Sequence, residues 1–70
     1  MAIITVRSPI IEVEAPDGTI GHAPKVSEVY REYIYRMETT EFGDPFIVEI
    51  DITDEGAALI AADPDYEVIS

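Results

Sequence analysis

The apolar positions of this chain follow two periods. Between Pro24 and Glu38 (PKVSEVYREYIYRME), Val26, Val29, Tyr30, Tyr33, Ile34 and Met37 recur at i, i+3, i+4, i+7, i+8 and i+11, the spacing that gathers side chains into one stripe of an α-helix. Lys25, Glu28, Arg31, Glu32, Arg36 and Glu38 fall outside that stripe. Pro24 suits a first helical turn, where its missing N–H has no carbonyl to bond. The pattern predicts the main helix here.

Elsewhere the period is two, or the run is short and β-branched. Ala2–Val6 (AIITV) reads as a first strand and Ile10–Glu14 (IIEVE) as a second, with Arg7-Ser8-Pro9 as the turn of a hairpin. In that hairpin Ile4, Val6, Ile11 and Val13 face the core, and Thr5, Arg7, Glu12 and Glu14 face outward. Ala15–Ala23 (APDGTIGHA) carries a Pro-Asp-Gly turn and two glycines and reads as a loop leading to the helix, with Ile20 plugged into the core. Thr39–Pro45 ends the helix, and Phe42 is expected at the rim of the core.

Phe46–Thr53 (FIVEIDIT) is the strongest strand: Phe46, Val48, Ile50 and Ile52 point one way, Ile47, Glu49 and Asp51 the other. Thr53 or Asp54 caps a short helix over Glu55–Ala62, which Asp63-Pro64 terminates. Tyr66–Ile69 is a last strand. The expected architecture is a single α+β domain over residues 1–70: a small two-layer structure in which a mixed four-stranded sheet packs on one main helix, in the order β-β-α-β-short α-β.

With IEVEAPDGTI read as a strand leading into the loop before a helix, that order resembles the ubiquitin-like β-grasp. The resemblance implies a hairpin and a late strand forming a sheet across one helix. The chain closes on Val68-Ile69-Ser70 rather than the Gly-Gly through which ubiquitin-like modifiers and sulfur carriers are activated, so what the resemblance implies is a fold and an interaction module, without conjugation chemistry.

Composition sharpens the functional reading. There is no cysteine, so stability rests on packing, and 47% hydrophobic residues supply one core. The longest wholly apolar run, Ala57–Ala62, is too short to span a bilayer, and the expectation is a cytoplasmic protein without a membrane partner. Fifteen acidic residues stand against four basic ones, a formal net charge of −11. Such a chain repels nucleic acid and anionic membrane and is drawn to basic surfaces. The imbalance lies after Arg36, where no basic residue follows. Solubility is the commonest reason for such acidity; adaptation to salt would spread carboxylates over the whole surface, and the nearly neutral first half speaks against it.

Candidate chemistry is sparse. His22 is the sole histidine. It has neither a nucleophile nor an orienting group in a recognisable pattern, so no catalytic residue is assigned and a non-enzymatic protein is expected. Asp51–Gly56 (DITDEG) resembles the start of a calcium loop, but Ala62 stands where a bidentate Glu belongs, and neither a metal site nor a cofactor is expected. Glu12 with Glu14, and Glu49 with Asp51, each repeat at i, i+2, about 6.5–7 Å apart along one face of a strand. Asp63, Asp65 and Glu67 add a further acidic cluster. Tyr35, opposite the helical stripe and beside Arg31, has the composition of a binding hot spot.

Rows of carboxylates on a rigid sheet imitate the regular charges of a nucleic-acid backbone. The leading expectation is therefore a small acidic binding protein, a nucleic-acid mimic or inhibitor, that occupies a basic groove of a nucleic-acid-binding protein without touching nucleic acid itself. In size and charge it resembles small phage and mobile-element inhibitors, anti-CRISPR proteins among them. The alternative is an assembly subunit, a homodimer or virion component, joined through a strand edge or the Tyr35 face.

Overall fold

The computed structural model describes Met1–Ser70 as six strands and two helices: β1 (Ala2–Ser8), β2 (Ile10–Glu14), β3 (Ile20–Pro24), α1 (Val26–Val29), β4 (Ile34–Glu41), β5 (Phe46–Ile52), α2 (Asp54–Ala62) and β6 (Glu67–Val68), with one 3-10 turn at Arg31–Tyr33. The α+β class holds, and a four-stranded sheet rests against one main helix, α2. The sheet runs β4-β5-β1-β6 and is antiparallel at every pairing, not mixed. β2 and β3 form a separate two-stranded arm. No helix is long and apolar enough to cross a membrane.

β5 obeys its sequence pattern. Phe46, Val48, Ile50 and Ile52 are buried, and they form the core with Val6 of β1, Val26, Tyr30, Ile60 of α2 and Tyr66. Thr53 caps α2 by accepting a hydrogen bond from the Gly56 N–H at 3.0 Å. Gly56 is where α2 meets the sheet: a Cβ there would lie 2.5 Å from Tyr33 Cβ and 2.9 Å from two Ile52 side-chain carbons. Only a residue without a side chain allows that approach. The helix ends at Asp63, before Pro64.

Several expectations fail. The main helix predicted over Pro24–Glu38 is confined to Val26–Val29, and from Ile34 onward the chain is a strand. The segment carries both signals: helical spacing of apolar residues, and a run of β-formers in Tyr33, Ile34, Tyr35, Thr39 and Thr40. The exposed flank of β5 decides between them, since β4 pairs along it from Ile34↔Ile52 to Glu41↔Ile47. Val29, on the expected stripe, is 52% exposed.

The β1–β2 hairpin is also absent. Ser8 is still within β1, opposite Phe46, and fully buried. Its hydroxyl accepts the Val26 N–H at 3.1 Å and donates to the Pro9 carbonyl at 3.0 Å. Pro9 has no N–H to continue the ladder, and β2 leaves to pair with β3 instead. The turn at Ala15–Thr19 is closed by two backbone bonds of 2.9 Å, Gly18 N–H to the Ala15 carbonyl and Ala15 N–H to the Thr19 carbonyl. Gly18 sits at φ +87°, open to glycine and few other residues. The segment read as a loop thus contains β3. Ile20 is 55% exposed on the arm, not in the core, and Val13 is also exposed. The β-grasp order is accordingly not observed, because β2 pairs with β3 instead of β1 and the long helix is replaced by α1 and β4.

Candidate binding surface

Alternation along β5 sends Ile47, Glu49 and Asp51 to the face of the sheet opposite the core. The registers add their neighbours: Arg36, Glu38 and Glu41 from β4, Ile3, Thr5 and Arg7 from β1, and Glu67 from β6. None of these is buried. Glu38 lies directly opposite Glu49, a like-charge pairing with Cβ atoms about 4.5–5.5 Å apart that costs the sheet stability. Arg36 is the one cation at this end, with Nε 3.3 Å from Asp51 Oδ2 and Nη2 3.8 Å from Glu49 Oε1. Asp51 is largely covered, its side chain 18% exposed, and its Oδ1 has no partner within the protein. At the other end Arg7 pairs with Glu67.

The predicted residues divide into three places. Glu49 and Asp51 share the sheet face, and Glu67 lies at its β6 edge. Glu12 and Glu14 are not on that sheet, as the hairpin reading required, but on β2 of the arm, where Glu12 faces His22 and Glu14 faces Ile20 across the ribbon. Asp63 and Asp65 lie before β6, outside any strand, and are committed to structure. Asp63 accepts the Tyr30 hydroxyl at 2.7 Å and the Asp65 N–H at 2.9 Å, and Asp65 accepts Lys25 Nζ at 2.9 Å. The Tyr30 hydroxyl, followed by the Asp65 N–H, holds the Asp63 carboxyl below its usual value. The same hydrogen bond, then burial, pushes Tyr30 up to about 12. Burial, then the charges of Asp63 and Asp65, push Tyr66 to about 12 as well.

Tyr35 is 67% exposed, as expected, but on β4 at a register irregularity between Ile34 and Arg36. Sequence reasoning missed Glu38 and Glu41, assigned to a helix and its end, and Phe42, which is 78% exposed rather than at the rim of the core. The alternation Arg36, Glu38 was the available signal, and the helical period concealed it. No group of three or more His, Asp or Glu side chains converges as a metal site would need.

All four basic side chains are engaged in ion pairs with carboxylates of the chain itself. What remains unpaired on the surface is negative, Glu12, Glu14, Glu38, Glu41 and Asp44 included. Comparison with protein families, with curated proteins and with solved structures finds no match for this chain.

Proposed function

We propose that this chain is a non-enzymatic binding protein that sets the acidic outer face of its sheet against a basic protein surface, as a nucleic-acid mimic or inhibitor of a nucleic-acid-binding partner. The observation that carries the reading is Glu38 opposite Glu49, with Glu41 and Asp51 beside them and Arg36 alone to offset four carboxylates. A sheet does not gain from two glutamates in directly facing positions. A partner's Lys or Arg inserted between them does, because it meets two fixed acceptors at once. β4 and β5 hold the two backbones in register, so the ordering cost on binding is confined to the side chains.

The test uses Glu38→Lys, which turns the repulsive pair into an attractive one. The variant should be more stable by a few tenths to about 1 kcal/mol and should fail to capture the basic proteins that the unaltered chain retrieves from nuclease-treated lysate at low salt. Capture by the unaltered chain should fall steeply as salt rises. A captured set that is the same for Glu38→Lys, or that contains no basic protein, defeats the proposal.

A second reading, self-assembly, has one observation in its favour: β4 is a free sheet edge of eight residues. Its register breaks between Ile34 and Arg36 and between Thr39 and Glu41, and such irregularities discourage strand addition. Light scattering of the isolated chain at micromolar concentration separates the two readings.

A further inference from the structure

Between the arm and the β4–β5 connection lies a hollow of about 470 Å³ lined by Ile10, His22, Phe42, Gly43, Asp44 and Phe46. Its apolar part is built: Phe46 is buried, Ile10 packs against the core, and Phe42 meets Phe46 edge to face at 5.9 Å between ring centres. Phe42 is nonetheless 78% exposed, the most exposed large apolar side chain on the surface. Gly43, at φ +149°, lets the chain turn directly after it.

The rim is acidic. Asp44 forms part of the lining, and Glu12 stands across the arm from His22, on the same face of the ribbon, with Glu14 two residues farther along that face. None of the three carboxylates has an ion-pair partner within the chain. An apolar hollow with unpaired Asp44 in its wall and Glu12 beside His22 rejects an acidic segment. It matches a segment that presents one large apolar side chain between cations.

We propose that this hollow is a second contact on the same basic partner, and that its occupant is a Lys/Arg-rich segment of that partner anchored by an aromatic side chain against Phe42 and Phe46. The proposal rests on the reading of a basic protein partner but not on the sheet face. The aromatic anchor supplies contact that salt does not screen. The cations on either side of it reach Asp44 and Glu12.

The test follows backbone amide NMR shifts of the chain during titration with short peptides. One carries a single Trp between two runs of Lys and Arg, a second has that Trp replaced by Ala, and a third has the Trp between runs of Glu. The Trp-basic peptide should move the amides of Ile10, His22 and Phe42–Phe46 and bind about ten-fold tighter than its Ala twin. The Glu-flanked peptide should not bind. Phe42→Ala, which removes an exposed side chain and should leave the spectrum of the fold in place, should abolish the Trp-dependent gain.

Equal binding of the Trp and Ala peptides, with shifts confined to Glu38 and Glu49, overturns this proposal while leaving the sheet-face reading intact. Absence of binding by either basic peptide at low salt overturns this proposal, while the sheet-face reading stands or falls on the capture experiment. Signals of the hollow that move on simple dilution of the chain assign it to a second copy and overturn the aromatic-basic occupant.

Discussion

β5 and the β2–β3 arm carry the same kind of pattern, FIVEIDI in one and IIEVE in the other, and their side chains meet opposite fates. Every second residue of β5 is buried, whereas Val13 on β2 is 37% exposed and Ile20 on β3 is 55% exposed. Local propensity does not distinguish them. β5 is flanked by β1 on one edge and β4 on the other, and α2 with Tyr30 and Tyr66 closes the layer beneath it. The arm is a ribbon with two free edges, secured near its base, where Lys25 N–H reaches the Pro9 carbonyl at 2.8 Å and Ile10 touches the core. The same alternation therefore builds a core in one place and a projecting, chemically mixed surface in the other. Only the second kind leaves its apolar side chains available for contact.

Substitutions can break this contrast. Ile50→Ala, at a fully buried centre of β5, should cost about 2–5 kcal/mol in urea-unfolding free energy, whereas Val13→Ala on the arm should cost well under about 1 kcal/mol. Comparable losses at the two sites would mean the arm is as integral as the sheet. Gly56→Ala should cost about 1–3 kcal/mol through overpacking against Tyr33 and Ile52, despite the better helix propensity of alanine. Thr53→Ala, which removes the cap of α2, should cost about 1 kcal/mol in the same assay.

The pH profile sharpens the comparison, because the shifted tyrosines belong only to the sheet-and-helix body. Tyr30 and Tyr66 are each pushed up to about 12, so the fold favours their neutral forms. Their contribution is complete below the ordinary value of 10.0 and is lost as pH rises through about 12. Alkaline unfolding followed by circular dichroism should show that loss, and Tyr66→Phe should reduce it. At neutral pH Tyr66→Phe should be close to neutral, since the Tyr66 hydroxyl has no hydrogen-bond partner within the protein. Tyr30→Phe should be costlier, because it strips Asp63 of a donor.

Much of this protein was legible one segment at a time. β1, β5, the Thr53 cap, α2 and its stop before Pro64 follow from side-chain alternation, capping chemistry and the geometry of proline. Of the candidate surface, Glu49 and Asp51 were found because β5 is unambiguous. Glu38 and Glu41 were not, because they lie in a stretch whose spacing satisfies a helix while its β-branched and aromatic residues satisfy a strand.

Sequence alone determined the acidity, the want of cross-links and the single strand strong enough to organise a core, since each depends on residue identity or on neighbours within a few positions. Tertiary structure decided the partners of that strand. An open edge on β5 converts Ile34–Glu41 from helix to strand, and Pro9 frees Ile10–Glu14 to find Ile20–Pro24. Pairing between distant segments is a contest among whole-chain arrangements, and the pattern within any one segment does not record which competitor wins.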